Sequence, residues 1–356
     1  MGRRRLRDLT ALEPGSVILH EPREDRSQEA ASEFDIPAYT RFEGALEERP
    51  DVMVISTPPA FHDDYVQEAV KRELHVFAEV PFVYDPRLLA TLASGTEYPS
   101  VLGISHTMRY YPPFRIIRDA IVAGRIGKPL YLEFSLGNYL PDWHPYEDYR
   151  SFYASDVTLG GAGMDMLLHE LAAIQWWLGR VESVYARFSK LSSLEIEGPD
   201  SHDMLLTFEA GADGIFHHDV IEQGTVGRHV RLAGETGTIE WHQNQAEVRL
   251  FEGTTGITSY LPFSQAADWH EALEASRRFT SLAASEESQV GSIAGAEDLS
   301  NYSYEANYLR EMQHFLEAVR GSADYSGGTV AEELHNLRVF QAVVESAQLG
   351  QRLLVG

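Results

Sequence analysis

Short apolar runs alternate with amphipathic stretches through the first third of the chain. "SVILHE" (16–21), "DVMVIST" (51–57), "LHVFAE" (74–79) and "VLGISH" (101–106) read as strands. Between and around them "RRRLRDLTAL", "REDRSQEAASEF", "FHDDYVQEAVKR", "PRLLATLAS" and "PFRIIRDAIVAG" carry helical spacing. That rhythm predicts βαβ units on a parallel sheet with helices on both faces. After about residue 128 the pattern changes. "PLYLEFSLG", "VESVYARFSKL", "DMLLTFEA", "DGIFHHDVI", "HVRLAGE", "GTIEWH" and "AEVRLF" follow as strands in near succession, which predicts an open, mostly antiparallel sheet. One strongly helical segment, residues 161–179, interrupts them. Residues 264–300 have weak pattern and read as a surface excursion, and two helices, each stopped by a glycine, close the chain.

Composition narrows the class. A chain of 356 residues suggests two domains, because single cores stop growing at roughly 250–300 residues. No apolar run is long enough to span a bilayer and no hydrophobic signal segment follows Met1, so the cytoplasm is the expected compartment. The chain has no cysteine, which excludes disulfides, thiolate metal sites and cysteine nucleophiles. A formal net charge of -25 argues against nucleic-acid binding, which needs clustered Lys and Arg. Only Lys71, Lys128 and Lys190 are lysines, and an acidic, lysine-poor surface suits a high-salt medium.

Candidate chemistry gathers at strand ends. Ser56, Thr57, Pro58 and Pro59 end one strand and His62 opens the next helix, where doubly wound sheets place a ligand; the plain alternative is a proline turn with a capping residue. Glu21 ends another strand and could accept the ribose hydroxyls of a dinucleotide. Arg109 and Tyr110 lie at a third strand end, where a guanidinium can hold an acidic group. Asp165 and His169 are four apart, so they share a helical face, and a carboxylate orienting an imidazole makes a base for a hydroxyl proton. The competing reading is a histidine satisfied in an apolar helix. No third convergent ligand suggests a metal. "GNYLPDWHPYEDYR" (137–150) has the aromatic and polar mix that suits a sugar, with Trp143, His144 and Tyr149 as contacts, or it is simply packing.

"STPPAFH", "HVFAEVP", "MRYYPPF", "GRIGKPLYLEFS", "GGAGMDMLLHELAAIQWWLG" and "GETGTIEW", in that order, resemble the Gfo/Idh/MocA oxidoreductases. The resemblance implies a Rossmann-like dinucleotide domain and a C-terminal α/β domain whose open sheet mediates homo-oligomers. It also implies reversible oxidation of a sugar, cyclitol or sugar-nucleotide hydroxyl, with "YLPDWHPYEDYR" similar to a branch found in surface-sugar biosynthesis. Gly2, Glu21, Arg23, Ser56 to Pro59, His62, Glu79 and Pro81 would border NAD, with NADP left open by Arg23. Asp165 and His169 would be the catalytic pair.

Two departures stand out. The family pattern Glu-Lys-Pro reads Glu79-Val80-Pro81, which removes a cation that touches substrate and nicotinamide, a loss of roughly 3–4 kcal/mol by analogy with an oxyanion donor. Arg109 or His106 could replace it only if the fold brings them close. The first strand and most of the Gly-rich turn expected before "RRRLRDLTAL" are also missing, so a truncated reading of the gene is expected. The resulting fold class is α/β, a Rossmann-like parallel sheet lacking its first strand (1–111), then an α+β domain with a large open sheet (112–356) whose last helices pack back. The rival to an enzyme is a non-catalytic sugar or nucleotide-sugar binding member of the family.

Overall fold

The computed structural model describes residues 1–94, 98–143, 148–151, 153–161, 163–224, 227–283 and 302–356, with the side chains of 280–283 left aside. The first domain runs α1 (Gly2–Leu12), β1 (Leu19–His20), α2 (Glu24–Phe34), β2 (Ala38–Tyr39), α3 (Phe42–Glu47), β3 (Val52–Ile55), α4 (His62–Lys71), β4 (His75–Ala78), α5 (Pro86–Ala93), β5 (Leu102–Ile104) and α6 (Pro112–Val122). The alternation is the one the pattern predicts, and β2 and α3 are additions. "AY" is too short to show a period of two, and "FEGALE" makes barely more than one helical turn, so neither leaves a periodic signature.

The parallel sheet comes in two pieces. Strands β3, β4 and β5 pair in that order, and β1 pairs with β2 alone. In an unbroken doubly wound sheet one further strand would separate β1 from β3. A cavity of about 3380 Å³ is bordered by Val17 and Leu19 on one side and Val52 and Val54 on the other.

The second domain contains β6 (Pro129–Gly137), α7 (Met164–Leu178), β7 (Val181–Ser189), β8 (Ser201–Phe208), β9 (Asp213–Asp219), β10 (Gly227–Gly234), β11 (Gly237–His242), β12 (Glu247–Glu252), β13 (Ile257–Pro262), α8 (Trp269–Ala283), α9 (Ala306–Val319), α10 (Val330–Leu349) and β14 (Leu353–Leu354). Its nine strands are ordered β13-β12-β11-β10-β6-β9-β8-β7-β14, and every pairing is antiparallel except β6 with β9. Strict alternation drives one face inward: Val230 and Leu232 of β10 and Met204, Leu206 and Phe208 of β8 are buried, while Tyr185, Leu205 and Ile215 remain exposed on the other face. Helices α6, α7 and α10 cover the buried face.

Two expectations change at this level. Part of the stretch read as a surface excursion is α8, a regular helix that packs on α9; residues 284–301 lie outside the described residues. The helix expected over 161–179 starts only at Met164, because Gly163 caps it at φ 77°, a left-handed conformation that glycine adopts without strain. Helix α9 returns to the first domain, where Met312, Phe315 and Leu316 cluster with Phe77 of β4 and Leu9 of α1.

Candidate active site

The cavity is built by three layers meeting: the carboxyl ends of β3 and β4, the start of α1, and the helix α7 lying under the large sheet. At the end of β3 the chain turns through Pro58 and Pro59 into α4. Ser56 and Thr57 line the cavity there, and their hydroxyl oxygens are buried without a hydrogen-bond partner among the described residues. Such orphaned groups are costly unless a ligand satisfies them. The N-terminus of α1, with Gly2 open to the cavity and free backbone amides, supplies the local geometry that favours a phosphate. Glu21 lines the same space, with one carboxylate oxygen accepting the Arg23 amide at 2.9 Å. Arg23 itself pairs with Asp25. These residues fit a dinucleotide.

His62 is also a brace. It lines the cavity, and its ring nitrogens lie 2.7 Å from the Pro81 carbonyl oxygen and 3.0 Å from that of Thr57, so the ring spans the two strand-end loops. Pro81 takes part through that carbonyl and does not line the cavity.

Glu79 continues β4 and is held by α1. Arg5 Nε donates to Glu79 at 2.7 Å, while Arg5 Nη2 donates to Ser105 Oγ and Glu311, each at 2.8 Å. Burial alone would raise the Glu79 carboxyl, but the Arg5 charge outweighs it and holds the group down at about 2. Val80 lines the cavity beside this pair and is 2% exposed.

The opposite wall presents Asp165 and His169 from one face of α7. They do not hydrogen-bond each other. Asp165 accepts the Tyr153 hydroxyl on Oδ2 at 2.8 Å and the Met166 amide on Oδ1 at 2.9 Å. The His169 ring is half-buried and faces the cavity. Desolvation pushes its pKa down to about 4; Glu79 pulls upward and His106 and Arg228 push further down. At neutral pH the imidazole is therefore an uncharged acceptor.

Other nominated residues divide. Trp143 lines the cavity; His144 lies outside the described residues. Arg109 and Tyr110 are placed behind the wall: Arg109 pairs with Glu332 at 3.1 Å, and the fully buried Tyr110 contacts Ser326. Tyr149 accepts the Glu195 amide and packs in a small satellite cluster instead of reaching the cavity. His106 pairs with Glu333 at 3.2 Å and also lies outside the cavity wall.

Some of the cations that line the site are ones the sequence reading passed over. Arg5 is one. Arg228 is another, bidentate to buried Glu170 with Nη2 at 2.6 Å and donating to Gln243 at 3.1 Å, and Arg23, nominated from the sequence, lines the cavity as well. The signal for Arg228 was available: extending the period of β10 two residues back from Val230 puts it on the inward face. Asn138, Tyr139 and Tyr153 complete the wall beyond His169. Among the described residues no group of three or more His, Asp or Glu side chains is placed to hold a metal ion, and no helix is long and apolar enough to cross a membrane.

Two family models match the chain, the oxidoreductase family with NAD-binding Rossmann fold over residues 1–95 and the GFO/IDH/MocA C-terminal domain over residues 114–240. The chain belongs to the Gfo/Idh/MocA family. Relatives include the uncharacterized oxidoreductase YrbE of Bacillus subtilis, 29% identical over 167 residues, which are 46% of each chain. Another is the 1,5-anhydro-D-fructose reductase of Ensifer adhaerens, 24% identical over 62% of this chain and 70% of that one. The chain thus spans about half the length of YrbE and more of the reductase. The fold also matches an Agrobacterium radiobacter oxidoreductase in complex with NAD⁺, L-tartaric acid and magnesium, with TM-score 0.78, 17% identity, and coverage of 99% of this chain and 96% of that one. The WlbA dehydrogenase of Bordetella pertussis, in complex with NADH and UDP-GlcNAcA, matches with TM-score 0.74 and 19% identity over 100% of this chain and 95% of that one.

Proposed function

We propose that this protein is an NAD-dependent oxidoreductase that interconverts a hydroxyl and a keto group on a sugar, cyclitol or sugar nucleotide. One observation carries the reading: a neutral imidazole, His169, and a carboxylate, Asp165, face the same cavity as the orphaned hydroxyls of Ser56 and Thr57. The nicotinamide, when bound, supplies the hydride acceptor or donor. Ser56 and Thr57 would hold the cofactor at the strand end, the α1 N-terminus its phosphates, and Glu21 a ribose whose free hydroxyls favour NAD over NADP. His169 takes the proton from the substrate hydroxyl during oxidation and returns it during reduction, which an uncharged ring can do at neutral pH. Trp143 and Tyr139 offer ring faces to the apolar side of a sugar, and Asn138 and Asp165 offer hydrogen bonds to its hydroxyls.

Relatives named for inositol, D-xylose and anhydrofructose chemistry support this substrate class. The cytoplasm, where the nicotinamide pool lies, is the compartment that suits it. A homo-oligomer through the exposed face of the large sheet belongs to the same reading, because Tyr185, Leu205 and Tyr260 are 41%, 52% and 58% exposed there.

The test is NADH binding followed by the cofactor's fluorescence, together with NAD⁺ reduction on a panel of cyclitols, aldoses and nucleotide sugars. His169→Ala should abolish turnover and leave NADH affinity within about twofold, because the base acts on the substrate and not on the dinucleotide. NADH binding without turnover on any member of the panel would favour a sugar-binding protein. No NADH binding would overturn the oxidoreductase reading.

A further inference from the structure

Asp165 has been read as the residue that orients His169, yet its contacts point elsewhere. Both oxygens are engaged, Oδ2 by the Tyr153 hydroxyl and Oδ1 by the Met166 amide. An ionised carboxylate offers about four acceptor positions, so two remain for a group in the cavity. Tyr153, half-buried, lines that cavity too. Its place is enforced by the backbone. The Asp156 amide donates to the Tyr153 carbonyl at 3.0 Å, and the Gly161 amide donates to Asp156 at 3.0 Å. A Cβ on Gly161 would stand 2.1 Å from the Tyr153 carbonyl oxygen, so only glycine lets the loop cross that close. Gly161 therefore lets the Tyr153 turn lie close to the start of α7.

We propose that Tyr153 is a positioning residue that keeps Asp165 ionised and turned toward the substrate, so that Asp165 binds a substrate hydroxyl directly and His169 works without a carboxylate partner on its own helix. The inference rests on the reading of the cavity as an oxidoreductase site. The groups around Asp165 are Tyr153 from the 153–155 turn, Tyr84 from the loop after β4, His169 one turn along α7, Glu79 beyond Tyr153 at the end of β4, and His218 of β9 beneath Gly163. Burial raises the Asp165 carboxyl, and the Tyr153 hydrogen bond and the Met166 amide oppose the rise. Burial and the Asp165 charge push the Tyr153 phenol well above its ordinary value, so it remains a donor throughout the working range.

The experiment is an infrared titration of the whole protein, following the protonated-carboxyl band that Asp165→Asn removes. Losing a hydrogen bond to a charged group should move that band's midpoint up by about one to two pH units in Tyr153→Phe. The acid limb of NAD⁺ reduction, with myo-inositol and D-xylose as probes, should move the same way. In the Asp165→Asn background Tyr153→Phe should add less than about a twofold change in rate, since a residue acting through Asp165 has nothing left to act on. An unmoved band in a Tyr153→Phe variant that melts like the parent would overturn the proposal, as would independent, additive losses in the double variant. The infrared measurement needs no turnover, so it stands apart from any failure of the proposed reaction.

Discussion

Replacing Arg5 by methionine tests the electrostatic frame on which the site is hung. Arg5 is 1% exposed and is the shared cation of two buried carboxylates, Glu79 at 2.7 Å and Glu311 at 2.8 Å. Methionine fills much of the same volume, so the loss is mainly one of charge. Breaking a buried ion pair from one side costs about 3–5 kcal/mol, because the partner stays buried without compensation. The Glu79 shift gives an independent figure: a carboxyl held at about 2 instead of 4.5 corresponds to about 3 kcal/mol at neutral pH. A depressed carboxyl stabilises the fold above its unfolded pKa, and that share is lost as pH falls through the folded one. Glu311 behaves oppositely. Its burial raises it to about 7, with Arg5 opposing and Glu79 reinforcing the rise. In Arg5→Met both carboxyls titrate higher, so the variant recovers stability by binding protons as pH is lowered. Urea unfolding followed by tryptophan fluorescence should therefore show a deficit of about 3–5 kcal/mol near pH 8 that shrinks by at least about 1 kcal/mol near pH 5.5. Adding Glu79→Gln should restore part of it. A loss below about 1 kcal/mol, or one equal at both pH values, would refute the reasoning.

Val80→Lys restores the Glu-Lys-Pro pattern that the resemblance implies; because Val80 borders the cavity and Glu79 lies beside it, the variant should melt within about 5 °C of the parent and gain at least about tenfold in NAD⁺ reduction. A large fall in melting temperature without a gain would mean that the pocket is rebuilt around the valine. The buried pair His202 and His218, whose Nδ1 atoms are 3.2 Å apart, is held neutral by desolvation, which pushes His202 down to about 4 and His218 well below its ordinary value. Histidines depressed in this way cost stability as pH falls from the unfolded value near 6.5 toward the folded one, up to about 3 kcal/mol for His202. Melting temperature should accordingly fall on acidification through this window and fall less steeply in His202→Gln; a flat profile in the parent would contradict the assignment.

What the sequence determined by itself was everything carried by periodicity and by fixed local spacing. The shift from helix-and-strand alternation to successive strands marks the change of sheet near residue 128, because side-chain burial repeats every two residues on a strand and every 3.6 on a helix regardless of what lies opposite. Asp165 and His169 were bound to share a face by helix geometry alone, and Ser56 to Pro59 to sit at a strand end. Only the tertiary structure decided which partner each polar group meets. Asp165 turned to Tyr153, 12 residues away and on a separate turn, and not to His169 on its own helix. Arg109, nominated at a strand end, faces Glu332, while Arg5 reaches Glu79 and Glu311 across 74 and 306 residues. His62, nominated at the cofactor, lines the cavity and also spans the two loops that carry the Thr57 and Pro81 carbonyls. Hydrogen bonds and ion pairs of this kind have ranges of a few ångströms, so they depend on how separate elements are packed. Nothing in the local pattern of either partner encodes that packing.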